Sequence, residues 1–115
     1  MNIINSNKEL NVKEIYFLTM NPQTQKMKDV VGQRIEIVNW AIYEDINKKN
    51  GDVQEILTIS TPEGETFATN SPTFKEDFVS MWNLFTDMGS SVPAIVVTAG
   101  TSKNNREFIS CVYSD

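Results

Sequence analysis

The residues in this chain with chemistry to offer are two groups of cations and a scatter of aromatic rings. Lys26, Lys28 and Arg34 lie close together in the first third, and Lys103 and Arg106 bracket a polar turn near the end. Between and beside them stand Trp40 and Tyr43, then Phe67 near Asn70, then Phe108 next to Arg106 and Glu107. Rings that stack on bases, with cations tracking the phosphates, are what hold an unpaired polynucleotide strand. Each residue also has a plainer reading. Turns attract polar residues, so Lys103 and Arg106 also fit as ordinary solvated charge. A buried ring is the default for phenylalanine, so Phe67 and Phe108 fit core or groove alike. Trp40 shares its alternation phase with Ile42 and can sit on either face. Tyr43 falls in the opposite phase and is the better stacking candidate.

Catalysis has little to work with. The chain contains no histidine, the commonest general base and zinc ligand. Cys111 has no histidine to activate it and reads as a small apolar residue in mid-strand. The carboxylate pairs Glu44-Asp45 and Glu76-Asp77 lack a supporting group at an informative spacing. The first sits near a turn, and the second suits a helix start. No glycine-rich phosphate loop is present. A non-enzymatic protein with no cofactor and no metal is therefore expected.

At 115 residues and 40% hydrophobic content, the chain can build one core. No apolar run approaches the roughly 18 residues of a membrane span, and the opening MNIINSNKEL lacks a basic start followed by an apolar stretch. A single cysteine permits no internal disulfide. A soluble, cytoplasmic protein is the expectation. The net charge of −5 opposes nucleic-acid binding in bulk, but the distribution of charge decides that question.

The elements that must position these residues follow in order. Residues 1–24 read as an N-terminal arm that packs on the main domain and is partly flexible. Within it, Ile15 to Leu18 is an apolar run suited to an extra strand or a packed segment. Asn21-Pro22 marks a turn, and residues 23–31 read as a turn or two of helix or an irregular lead-in. A long strand spans Gln33 to Ile46. Ile35 and Ile37 share one phase and Val38, Trp40 and Ile42 the other, which a bulge near Val38 would reconcile. Asn50-Gly51 is a hairpin signal. Strands follow at Val53–Thr61 and Glu65–Asn70, joined by Pro62-Glu63-Gly64. A helix begins at Pro72 behind Ser71, or with Thr73 and Glu76 as a capping box, and ends at Gly89. Its stripe of Phe74, Phe78, Met81, Trp82 and Phe85 reads as packing or as a partner surface. Strands Ala94–Ala99 and Glu107–Tyr113 close the chain. The order β-β-β-α-β-β over residues 25–115 is that of a five-stranded Greek-key oligonucleotide-binding barrel, mainly β with one helix.

Three segments carry a resemblance. They are Lys28-Asp29-Val30-Val31-Gly32-Gln33-Arg34-Ile35-Glu36-Ile37, Gly64-Glu65-Thr66-Phe67-Ala68-Thr69-Asn70-Ser71, and Gly100-Thr101-Ser102-Lys103-Asn104-Asn105-Arg106-Glu107-Phe108. In their order and spacing the chain resembles the small single-stranded DNA-binding proteins of Gram-positive bacterial phages and mobile elements. The resemblance implies a barrel that coats single-stranded DNA non-specifically during replication, in the host cytoplasm. It carries over to Lys28, Arg34, Phe67, Asn70, Lys103, Arg106 and Phe108. Single-stranded DNA is the expected partner, with replication proteins and a second copy of the chain as further candidates. The alternative is a protein-interaction module, such as a phage-encoded inhibitor of a host enzyme.

Overall fold

The computed structural model describes residues 2–115 and forms two open sheets and two α-helices. Strand β1 (Asn2–Ser6) is followed by helix α1 (Val12–Met20), strand β2 (Gln25–Lys26) and a 3-10 turn (Met27–Val30). Then come β3 (Arg34–Glu36), β4 (Asn39–Ile46), β5 (Val53–Ser60) and β6 (Thr66–Thr69). Helix α2 (Pro72–Asp87) and strands β7 (Ala94–Thr101) and β8 (Glu107–Ser114) complete the chain. A mixed five-stranded sheet has the order β1-β4-β5-β6-β2, and an antiparallel three-stranded sheet has the order β3-β7-β8.

The expected long strand is two. Ile37 N–H donates to the Pro93 carbonyl at 2.9 Å, and Val38 N–H donates to the Ser60 carbonyl at 2.8 Å. The chain therefore leaves one sheet and enters the other between these two residues, at the position where the hydrophobic phase changes. Val38 is exposed, while Ile35, Trp40 and Ile42 on either side are buried. The break lets both phases of the pattern point into one core.

The closed barrel expected from the element order does not form, and the fold is α/β rather than mainly β with one helix. Closure would need β6 to pair with β8. The second edge of β6 is instead taken by β2, in parallel, with Gln25 opposite Phe67 and Lys26 opposite Ala68. The free edge of β8 is flanked by α2. Ser102 N–H donates to the Arg106 carbonyl at the hairpin end, and that bond sets the alternation along β7 and β8. It turns the backbone groups of Ile109, Cys111 and Tyr113 away from β7. On that side the Ser71 hydroxyl lies 3.5 Å from the Ile109 carbonyl. Further along, Ser110 donates to Asp77, and Phe85 stacks on Tyr113 with centroids 4.5 Å apart. A helix laid along a strand edge removes it from sheet pairing.

Helix α2 has the sequence signals its ends require. Ser71 caps it by accepting from Phe74 N–H, with Pro72 in the first turn. It ends in a Schellman arrangement: Gly89, with φ of 75°, donates to Thr86 and Ser90 donates to Phe85. Its apolar stripe faces the core. Phe74 and Phe78 are fully buried, and Met81, Trp82 and Phe85 pack against the same cluster. That cluster joins both sheets through Ile35, Trp40, Ile42, Leu57, Ile59, Phe67, Ile95 and Val97. Each such side chain contributes about 1.5–3 kcal/mol on burial.

Residues 2–20 are more structured than their polarity suggests. β1 pairs antiparallel with β4. Ile15 to Leu18, expected as an extra strand or a packed segment, lie in helix α1. Asn11 and Glu14 form a reciprocal capping box at its start, both hydrogen bonds 2.9 Å long. The free oxygen of Glu14 meets Lys8 at 2.8 Å and accepts from Asn39 at 3.1 Å. These donors, the Lys8 ammonium first, hold the Glu14 carboxyl below its ordinary value. Helix α1 packs against β4 and β5, and buried Ala41, Tyr43 and Thr58 lie on the face of those strands opposite Trp40 and Ile42. Among the described residues, no helix is long and apolar enough to cross a membrane.

Candidate nucleic-acid interface

A large concavity lies between the sheets, where the barrel would have closed. It has a volume of about 1310 Å³ and opens to solvent. One wall is the segment Lys26–Val31, which runs from β2 through the 3-10 turn. A second is the start of β5 together with the junction from β6 into α2. The third is the end of the β7–β8 hairpin. The two departures that leave the barrel open, β2 on β6 and α2 along β8, therefore also frame this cleft.

Five of the ten residues singled out in the sequence line the cleft: Lys26, Lys28, Asn70, Arg106 and Phe108. All but Phe108 are exposed, and its ring is half-buried. The two ion pairs among the described residues, Lys8–Glu14 and Arg34–Glu36, leave the cleft cations out. Two carboxylates, Asp29 and Glu107, share the lining, so three cations face two acids in a protein of net charge −5.

The other five lie elsewhere. Trp40 is 1% exposed and meets Phe78 and Trp82 edge-on, at centroid distances of 5.2 and 5.6 Å. Phe67 is 5% exposed in the same core. Tyr43 is 7% exposed on the other face of β4, and burial raises its phenol above the ordinary value. A base cannot stack on any of these three rings while the core is intact. Arg34 is tied down by Glu36 at 3.1 Å, the Ser114 hydroxyl at 3.2 Å and the Asp115 carbonyl at 2.9 Å. Lys103 is exposed in the β7–β8 turn, next to Ser102 but outside the cleft lining.

Phe108 has an unusual seat. It pairs across the hairpin with Gly100, and a Cβ at position 100 would come within 2.6 Å of the ring's Cζ. The ring therefore lies over the β7 backbone in space that only glycine leaves open. Gly100 falls just past the strand expected over Ala94–Ala99, yet it lies within β7 and its φ is not positive. A glycine inside a β-branched run is the signal that marks such a close approach. Gln54 was also missed. Its carbonyl accepts from the Asn70 amide at 3.2 Å, on the cleft wall.

Cys111 offers no nucleophile. Burial, with the nearby Asp77 charge, pushes its thiol up to about 12, so the thiolate is scarce at neutral pH.

The chain matches no known protein family, no curated protein and no solved structure.

Proposed function

We propose that this protein binds single-stranded DNA in the cleft between its two sheets, as a non-enzymatic coating protein of phage or mobile-element replication. The observation that carries this reading is the grouping of Lys26, Lys28 and Arg106, none of them ion-paired among the described residues, with the aromatic ring of Phe108 in the lining of the cleft. Cations that track phosphates and a ring on which a base stacks are the two parts of a single-strand site. A base can reach Phe108 only when its own faces are free, which selects unpaired strands. The acidic remainder of the surface weakens association everywhere else and confines it to the cleft. The choice of DNA rests on the resemblance of the three segments described above.

Fluorescence anisotropy of a labelled oligo-dT tests the proposal. Binding should be detectable at low salt and should weaken as salt rises. The slope of log K against log salt is about −0.7 per phosphate neutralised on a single strand, so three cleft cations give about −2. A duplex of equal length should compete poorly. Absence of binding at low salt would remove the reading.

One observation favours a second reading, a protein-interaction module. Val12, Tyr16 and Met20 stand at four-residue spacing on the outer face of α1 and are 81%, 59% and 58% exposed. Tyr16→Glu separates the two readings, because it lies outside the cleft and should leave oligonucleotide affinity unchanged.

A further inference from the structure

The cleft carries more than charge and a ring, and what it adds bears on whether the bound strand is read. On the wall formed by β5 and the end of β6, the Asn70 amide donates to Gln54 Oε1. Among the described residues, neither Gln54 Nε2 nor Asn70 Oδ1 has a protein partner. The pair therefore offers one open donor and one open acceptor on the same cleft wall. Asn and Gln amides are the side chains that meet the edge of a base, which also presents both donors and acceptors. A phosphate, which only accepts, would leave Asn70 Oδ1 unmatched.

Their position relative to Phe108 gives the pair its meaning. Ser71 follows Asn70 and Ile109 follows Phe108, and the Ser71 hydroxyl lies 3.5 Å from the Ile109 carbonyl. The amide pair and the ring thus flank one crossing point between the end of β6 and β8, each one residue from the contact. Gly100 fixes the ring's height at that point, since any side chain there would lift it. The cations lie around this station: Lys26 on β2, Lys28 in the 3-10 turn, and Arg106 at the hairpin.

Resting on the single-strand reading of this cleft, we infer that it holds one nucleotide in a defined pose. The base stacks on Phe108, and its edge is hydrogen-bonded by Gln54 and Asn70. The affinity of the protein then depends on base identity at one position, and Gln54 and Asn70 are specificity-determining residues. Stacking alone tolerates every base, because each has a π face. An edge contact does not, and a bidentate one discriminates by roughly five-fold or more.

The experiment compares labelled dT, dA and dC homopolymers of about 12 nucleotides, within the usual span of single-strand sites. They are titrated against the wild type, a Gln54→Ala/Asn70→Ala double variant and Phe108→Ala. Both amides are at the surface or half-buried, and an unchanged urea midpoint confirms that the double variant is folded. The wild type should separate the three strands. The double variant should bring their affinities together while retaining the salt slope, and Phe108→Ala should weaken all three alike. Gly100→Ala should reproduce the Phe108→Ala pattern. An unchanged spread among strands in the double variant overturns the inference and leaves the single-strand reading standing. No binding of any strand by the wild type overturns both.

Discussion

Phe67 and Phe108 stand in similar sequence settings, each in a strand and each close to a polar or basic side chain, yet they have opposite fates. Phe67 lies opposite Ile59, which is fully buried, and both belong to the core cluster. Phe108 lies opposite Gly100 and lines the cleft. Neither ring type nor immediate neighbours distinguish them. The residue across the strand does, because cross-strand pairs decide what a ring packs against. A large apolar partner continues the core, and a glycine lets the ring lie against the backbone at the cleft, half-buried.

Alanine at the two positions should split stability from binding, and this is the largest effect expected. Phe67→Ala leaves a cavity between both sheets and should cost about 3–5 kcal/mol of stability by urea denaturation. Phe108→Ala removes a cross-strand contact of about 0.2–1 kcal/mol, but should cost about 1–3 kcal/mol in oligonucleotide affinity. Equal stability losses at the two sites would erase the distinction between them.

The same contrast recurs within β8, three residues beyond Phe108. Cys111 lies opposite Val97 and faces the core. Its thiol is raised from the ordinary 9.0 to about 12, so the folded chain keeps a proton that the unfolded chain releases. That stabilisation is complete below pH 9 and is lost as pH climbs through 9 toward 12. The decline attributable to this group can reach about 1.4 kcal/mol per pH unit. Denaturation midpoints measured from pH 8 to 11 should fall less steeply for Cys111→Ala than for the wild type. Parallel curves would place the thiol in a solvated site.

Where sequence reading succeeded, local chemistry and long-range packing agreed. The cap at Ser71, the stripe from Phe74 to Phe85 and the stop at Gly89 are all local signals, and packing reinforces each of them. The phase change around Val38 was legible as an irregularity; that it moves the chain between sheets was not, since two strands elsewhere receive the halves. Helix α1 was missed although Asn11 and Glu14 have capping-box spacing, because the Ile15–Leu18 run fits either period over so few residues. The barrel failed for a non-local reason. Two residues of β2 occupy the edge of β6, and nothing in Gln25-Lys26 announces a parallel pairing forty residues downstream. The site inherited that error in part. Strand phase alone left Tyr43 open to solvent, but α1 packs against β4 and β5 and Tyr43 is sealed. Lys26 and Lys28 reached the cleft through the same β2 pairing that defeated the barrel.

The smallest expected effect tests the cations in the same way as the rings, by setting a satisfied group against an open one. Arg34 and Arg106 are both exposed, and sequence position makes them equivalent candidates for phosphate contact. Arg34, however, already donates to a carboxylate, a hydroxyl and a carbonyl, so a phosphate would have to displace partners worth as much as itself. Among the described residues Arg106 has no ion pair, and it lines the cleft. Arg106→Ala should therefore reduce the salt slope by about 0.7, the share of one phosphate on a single strand, and weaken binding to all sequences alike. Arg34→Ala should leave both slope and affinity unchanged while loosening the tie between β3 and the end of β8. If Arg34→Ala lowers the slope as much as Arg106→Ala, the strand crosses the outer face of the three-stranded sheet instead. The cleft between the sheets would then have to be assigned some other occupant.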